Sequence, residues 1–345
     1  MSRSSDCVRI VDGYLFDFSK LIEHVRRYGY KRLLLEAPPG MLHLSEKLSS
    51  IIAECLGEDI EVIIRLEPVY GSCSTSLQLL SQGFVDAIVH IGHDEYPYPL
   101  CMGSRCLYTT PPRVFYVEGE YVGADFSSLA TRIVETVKAP TLAIGFPAQH
   151  KRLGIRVAEL LAKWGVKVKA AARILGCYYQ PLVRSNADAY VVIAGGYFHA
   201  IGLALALEAS KPVYRADPYT GTVENVTGTA RRWLAKRYWV IRQAMSADRF
   251  GVIVGLLPGQ YRPGVVEAVT KLLRRAGKSY RLLYSERLSR EYLDNLSPDD
   301  YDAFIVTSCP RLAIEDLGDY WKPVLTPGEA FVAITGRLER YRFPW

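Results

Sequence analysis

Three cysteines stand in stretches with the composition of loops: Tyr70-Gly71-Ser72-Cys73, Leu175-Gly176-Cys177 and Ser308-Cys309-Pro310. Three thiolates brought to one point form an incomplete tetrahedral set. That is the donor count of a 4Fe-4S cluster with one iron left open to substrate, or of an open zinc site. Gly71 and Gly176 carry no side chain, so the backbone there can approach a bulky cluster and turn N–H groups toward its sulfurs. Taken singly, each cysteine reads equally well as a buried, inert thiol. What favours ligation is their shared placement, and since 104 and 132 residues separate them, only a repeating fold can gather them.

The other candidates are weaker. Cys101-x4-Cys106 has the spacing of half a zinc site, but no second pair lies near it, and a plain surface loop is the expectation. Cys55 falls on the apolar face of an expected helix as core packing, and Cys7 precedes the first element with no role assigned. His93, His150 and His199 fall in loops. Each either orients a substrate carboxylate or passes a proton, or else caps a helix or bonds a neighbouring loop. Gly259-Gln260 is expected to open the last long helix, where N-terminal amides and the helix dipole suit a carboxylate. No Walker glycine-lysine loop, complete Gly-x-Gly-x-x-Gly or Gly-x-Ser-x-Gly elbow occurs, which leaves a nucleotide-phosphate site and a serine hydrolase without support.

The chain has 345 residues, 49% hydrophobic and 23% charged, enough for two or three cores. Its formal net charge of +6 suits an acidic or nucleic-acid-bearing partner without demanding one. No apolar run approaches the ~20 residues of a membrane span, and Met1 to Ile10 lacks the apolar centre of a signal peptide, so a cytoplasmic protein is expected. Seven cysteines, an odd number, do not suggest a disulfide framework, and in a reducing compartment unpaired thiols or metal ligands are expected instead.

The elements that must position these residues repeat. Asp86-Ala87, Asp188-Ala189 and Asp302-Ala303 each lead into an apolar run that ends in a loop bearing Gly, His or Cys. Ahead of each, a strand runs into a Pro-containing loop: Arg32–Leu35, Thr141–Gly145 and Val252–Gly255. An amphipathic helix follows, with Met41, Leu44, Leu48, Ile51, Ile52 and Cys55 at helical spacing in the first case. Gly57, Gly165 and Gly277 stand at the helix ends, and second strands are expected at Glu61–Leu66, Val166–Ile174 and Ser279–Tyr284. Near-continuous Val, Ile and Leu in such an order predicts an α/β chain of three related domains, each a parallel sheet flanked by helices. Their expected spans are 1–139 with Cys73, 140–247 with Cys177 and 248–345 with Cys309. Gly221 to Trp239 is expected to cross from the second to the third. A pseudo-threefold arrangement, with the carboxyl ends of the strands facing inward, would bring the three thiols together.

At Tyr70-Gly71-Ser72-Cys73, Leu175-Gly176-Cys177 and Cys309-Pro310-Arg311-Leu312, with Gly195-Gly196-Tyr197-Phe198-His199 and Asp217-Pro218-Tyr219 between them, the chain resembles the archaeal diphthamide synthases. The likeness runs over essentially the whole sequence. These are 2-(3-amino-3-carboxypropyl)histidine synthases. The resemblance implies a homodimer whose domains each give one cysteine, here Cys73, Cys177 and Cys309, to a 4Fe-4S cluster. It implies S-adenosylmethionine as substrate, cleaved at its Cγ–S bond by an electron from an external donor. The aminocarboxypropyl group then passes to C2 of a histidine of translation elongation factor 2, leaving methylthioadenosine. Gln260 and His199 are the candidate contacts for the methionine moiety. Ala37-Pro38-Pro39-Gly40 and Ser74-Thr75-Ser76 depart from the family's usual Pro-Glu-Gly turn and acidic residue. The alternative from another class is a non-catalytic Fe-S or zinc scaffold.

Overall fold

Arg32–Glu36, Ala87–Ile91, Ala189–Ile193 and Ala303–Val306 are runs of aliphatic residues too short for helices and buried on both faces, the pattern of parallel strands covered by helices. In the computed structural model, which describes residues 7–57, 59–103, 105–109 and 111–345, they lie inside three sheets. Met1 to Asp6, part of the segment read for a signal peptide, lies outside the described residues. The chain divides into two compact units: residues 1–126, 146–156 and 257–259 form the smaller, and residues 127–145, 157–256 and 260–345 the larger.

The smaller unit holds one parallel sheet, in the order Glu61–Ile64, Arg32–Glu36, Ala87–Ile91, Val114–Val117. The larger holds two. One runs Lys167–Arg173, Thr141–Phe146, Ala189–Ile193, Val213–Ala216; the other runs Ser279–Ser285, Arg249–Gly255, Ala303–Val306, Val324–Leu325. Taken in chain order, all three place the second strand outside the first, then the third, then the fourth. The α/β class and the repeat are thus realised as strand order.

The recurring aspartate has a mechanical explanation. Asp86 accepts the backbone N–H groups of Lys31 and Arg32 at 2.7 and 2.8 Å. Asp302 accepts those of Asp248 and Arg249 at 3.0 and 2.9 Å. Asp188 accepts the Thr141 hydroxyl at 2.7 Å. In each sheet the carboxylate before the third strand ties down the start of the first strand and sets their register. These bonds, joined at Asp302 by the stronger pull of the Arg249 guanidinium, hold all three carboxyls below their ordinary range. Gly57, Gly165 and Gly277 close their helices with φ of +102°, +84° and +68°, as the sequence predicts.

Two expectations change. Gly221 to Trp239 is not only a crossing segment. Val223–Asn225 adds an antiparallel edge to the second sheet, and Thr227–Ala244 is a long helix. That helix carries Arg237, which is buried and grips Glu329 through two bonds of 2.7 and 2.6 Å while donating to the carbonyls of Ala313 and Val324. Cys7 is not idle either: it is buried, and burial together with the neighbouring Cys55 pushes its thiol up to about 12.

Candidate functional site

In the smaller unit the chain leaves the strand Glu61–Ile64 and enters a single 3-10 turn, Ser72–Ser74, which carries Cys73 as a half-buried thiol outside any disulfide. The Cys73 carbonyl accepts the N–H of Gly259 at 2.8 Å. The Tyr96 hydroxyl donates to the Gly259 carbonyl at 3.0 Å, and the Cys101 N–H to that of Pro258 at 2.6 Å. A Cβ at position 259 would stand 2.5 Å from Cys73 Cα and 2.8 Å from the Tyr96 ring, so only glycine fits. Gly259-Gln260 therefore does not open the last long helix, which starts at Pro263. Its glycine braces the Cys73 turn, and Gln260 sits against Gly255 in the larger unit.

Cys101 and Cys106 are joined by a disulfide, contrary to the expected plain loop of unpaired thiols. Leu100–Met102 and Arg105–Leu107 pair antiparallel, and the register sets the two cysteines directly opposite each other with Cα atoms 4.0 Å apart.

Behind the Cys73 turn lies a buried polar chain that the sequence reading missed. Glu36 and His90 are fully buried on adjacent strands in matched register. Glu36 Oε1 is 2.6 Å from His90 Nδ1, and His90 Nε2 is 3.0 Å from His93 Nδ1. Ser76 donates its hydroxyl to Glu36 Oε2 at 2.8 Å, and Arg65 Nη1 stands 3.3 Å from the same oxygen. Burial alone would raise the Glu36 carboxyl. The hydrogen bond and charge of His90, then Ser76 and Arg65, outweigh it and hold the group below its ordinary range, as a carboxylate. Signals for this chain were present: a glutamate ends the Leu33-Leu34-Leu35 run, and a histidine interrupts Ile88-Val89-His90-Ile91. Thr75 and Ser76, from the stretch that departs from the family pattern, are part of it. Of the other loop histidines, His150 is buried edge-on to Tyr121.

In the larger unit Cys177 lies in a tight turn closed by mutual backbone bonds between Leu175 and Tyr178. A Cβ on Gly176 would meet the Phe198 ring at 2.2 Å. Cys309 follows Ala303–Val306, and its sulfur faces the backbone N–H groups of Arg311 and Leu312. Burial pushes this thiol up, and those donors with the Arg311 charge pull it partly back. Tyr179 links the two cysteines. Burial pushes its phenol well up, and charge on Cys177, Glu315 and Cys309 adds to the rise, which sets both sulfurs within electrostatic reach of one hydroxyl. His199, in the first turn of helix Phe198–Ala206, is held down to about 4 by burial and is neutral at pH 7.

The donor chemistry fits an iron–sulfur cluster. Three thiols remain outside disulfides at loop positions, and a buried hydroxyl that lacks a hydrogen-bond partner among the described residues accompanies them in each unit: Ser72 Oγ beside Cys73, and Tyr179 Oη within electrostatic reach of Cys177 and Cys309. Cluster sulfurs are acceptors such donors can satisfy. Among the described residues no group of three or more His, Cys, Asp or Glu side chains forms a metal site.

A profile of the diphthamide synthesis protein family matches residues 37–343. The chain belongs to this family. Among diphthamide synthesis proteins, the 2-(3-amino-3-carboxypropyl)histidine synthase of Pyrococcus horikoshii is 30% identical over 336 residues, covering 94% of this chain and 92% of the relative. Subunit 1 of the synthase of that name from Homo sapiens is 28% identical over 333 residues, covering 93% of this chain and 72% of the relative. The crystal structure of Dph2 from Pyrococcus horikoshii with a 4Fe-4S cluster aligns with a TM-score of 0.78 at 27% identity, covering 94% of this chain and 92% of that one.

Proposed function

We propose that this protein is a 2-(3-amino-3-carboxypropyl)histidine synthase. It transfers the 3-amino-3-carboxypropyl group of S-adenosylmethionine to C2 of a histidine on translation elongation factor 2, the first step of diphthamide formation. Family membership supports this together with one structural observation: three thiols outside disulfides, with orphaned buried hydroxyls in their surroundings. Cys73, Cys177 and Cys309 would hold a 4Fe-4S cluster, one from each of the segments 1–139, 140–247 and 248–345. When bound, such a cluster supplies an electron, drawn from an external donor, and an open iron for the sulfonium, so that the Cγ–S bond breaks.

The rest falls to the chain's own residues. Gly259 holds the Cys73 turn in place, and the N–H groups of Arg311 and Leu312 favour the thiolate of Cys309. Gln260 and His199 are the contacts proposed for the methionine moiety. A neutral His199 offers a hydrogen bond without repelling the sulfonium charge. A homodimer is part of the proposal, and the side chains of Leu282 and Tyr284 on the outer strand of the third sheet are exposed as a dimer contact would need. Among the described residues no helix is long and apolar enough to cross a membrane.

After anaerobic reconstitution, iron and sulfide should approach four of each per chain, and the reduced protein should convert S-adenosylmethionine to methylthioadenosine, not 5′-deoxyadenosine. Mass spectrometry of elongation factor 2 should show one added aminocarboxypropyl group on a histidine. Cys73→Ala, Cys177→Ala and Cys309→Ala should each bleach the brown absorbance, whereas Cys101→Ala and Cys106→Ala should keep it. A zinc-only protein, or 5′-deoxyadenosine as the main product, would overturn the proposal.

A further inference from the structure

Arg65 follows the strand Glu61–Ile64, and its backbone N–H on the Leu35 carbonyl at 2.9 Å carries the parallel pairing one residue further. Glu36 ends the neighbouring strand Arg32–Glu36. Both side chains are thus rooted at the carboxyl edge of one sheet and withdrawn from water, Glu36 fully buried and the Arg65 side chain only 13% exposed. Between them they hold Ser76. Its N–H and its hydroxyl both donate to Glu36 Oε2, at 3.2 and 2.8 Å, and the same hydroxyl accepts from Arg65 Nη1 at 2.8 Å. Arg65 Nη1 also donates to the Ser74 carbonyl at 3.2 Å, one residue beyond Cys73.

Every carbonyl from Gly71 to Ser74 has a donor. Gly71 receives the N–H and hydroxyl of Ser74 at 3.0 and 2.8 Å, Ser72 the hydroxyl of Thr75 at 3.0 Å, Cys73 the N–H of Gly259 at 2.8 Å, and Ser74 the Arg65 guanidinium. The bonds from Ser74 and Thr75 are local and shape the turn without setting where it sits. Glu36 and Arg65 fix it to the sheet, and of the two Arg65 reaches the residue next to Cys73. Stability does not call for such an arrangement. Taking a guanidinium and a carboxylate out of water costs about as much as their attraction returns, and apolar side chains of similar volume would hold the strands as well. What the bonded charges add is direction, because charge-assisted hydrogen bonds accept a narrow range of distance and angle.

Resting on the function proposed above, we infer that Arg65 is a positioning residue for the Cys73 ligand. It holds the thiol-bearing turn in its ligating path before a cluster is present, so that no ordering of this corner is left to the binding step. A cluster held by three thiolates is sensitive to the loss of any one, which leaves two irons open instead of one. Lysine at this position keeps a positive charge beside Glu36 but presents it as a point on a flexible stem, and so holds the carbonyl less firmly.

Two measurements test the assignment. The first uses cluster-free protein with the Cys101–Cys106 disulfide intact, in which iodoacetamide labelling of Cys73, Cys177 and Cys309 is followed together by mass spectrometry. In Arg65→Ala, labelling of Cys73 should rise about tenfold, the equivalent of one charge-assisted hydrogen bond lost from the turn, while Cys177 and Cys309 keep their rates. Added guanidinium ion should bring the Cys73 rate back toward that of the unaltered protein, and Arg65→Lys should fall between the two. Arg32→Ala breaks an exposed pair with Glu61 at the amino ends of the same two strands and should change none of the three rates. In the second measurement, on reconstituted protein, a chelator should draw iron from Arg65→Ala about 10- to 100-fold faster than from the unaltered chain. A rise at all three cysteines together would mean that the substitution loosens the whole fold, and an unchanged Cys73 that the turn holds without Arg65. Either result overturns the inference. If Arg65→Ala does not fold, the ratio of Cys73 to Cys177 labelling in Arg65→Lys decides, and an unchanged ratio counts against the assignment. If the unaltered protein takes up no iron–sulfur cluster, the proposed function fails instead, and the labelling ratio still shows whether Arg65 holds the Cys73 turn.

Discussion

The turn that carries Cys73 and the pair Cys177 and Cys309 occupy comparable places, after parallel strands in sheets of one strand order, yet their surroundings have little in common. Behind Cys73 stand a carboxylate, two histidines, an arginine and two hydroxyl side chains in one bonded chain. Around Cys177 and Cys309 stand the rings of Phe198 and Tyr179, a neutral histidine and the amides of a helical turn. A repeat conserves the geometry that delivers a side chain. It does not conserve the medium behind it. The polar region surrounds its carboxylate with donors, while the aromatic one leaves a buried hydroxyl, that of Tyr179, without a partner among the described residues.

The largest expected effect breaks the brace on the polar side. Gly259→Ala places a methyl 2.5 Å from the backbone of Cys73, where nothing flexible can yield. It should cost about 3 kcal/mol of stability, at the upper end for overpacking, and lower the iron content. The aromatic side answers with a control: Gly196, where an added Cβ meets nothing within 4 Å, should accept alanine with little change in either reading. Equal losses at the two positions, followed by urea unfolding and iron assay, would erase the distinction.

A sharper comparison is pH. His199 has a folded pKa of about 4 against an ordinary 6.5. The unfolded chain binds the extra proton first as pH falls, so this contribution is whole above pH 6.5 and is lost between there and about 4. Its slope approaches about 1.4 kcal/mol per pH unit. Glu36 has a depressed pKa, so its contribution is present above its ordinary value of 4.5 and is lost only as pH falls through the lower folded value. In cluster-free protein, urea midpoints against pH should flatten between 6.5 and about 4 for His199→Gln, and only below about 4.5 for Glu36→Gln. Coincident windows would show that the two regions do not titrate separately.

The smallest effect concerns an orphan. Tyr179 buries a hydroxyl that has no partner among the described residues, so Tyr179→Phe should stabilise the cluster-free protein by about 1 kcal/mol. If the hydroxyl serves a cluster sulfur, that gain should vanish after reconstitution. An equal gain in both forms would separate Tyr179 from the cluster.

Much of this was legible from residues. Aliphatic runs, the repeated Asp-Ala and the capping glycines act locally, so the strands and helix ends follow from a few neighbours. Other features depend on partners far along the chain. Gly259 reads as an ordinary turn glycine until its contact with Cys73 is seen, 186 residues away in sequence. The Cys101–Cys106 disulfide needed the hairpin register, and the short edge strand Val223–Asn225 is too polar to announce itself. Glu36 and His90 could have been flagged as polar residues inside apolar runs. Their pairing appears only when two strands are aligned, and it places His93, which the sequence left open between proton transfer and a loop bond, at the end of the same bonded chain.

Leu257–Gly259 completes the unit to which Cys73 belongs, and this sets an order in time. A ribosome adding ~5–20 residues per second needs roughly 10–40 s to travel from Cys73 to Gly259. For that interval the Cys73 carbonyl lacks the N–H that holds its turn. Cys309 is translated later still. A cluster held jointly by Cys73 and Cys309, as proposed above, would therefore have to be completed after most of the chain has been made.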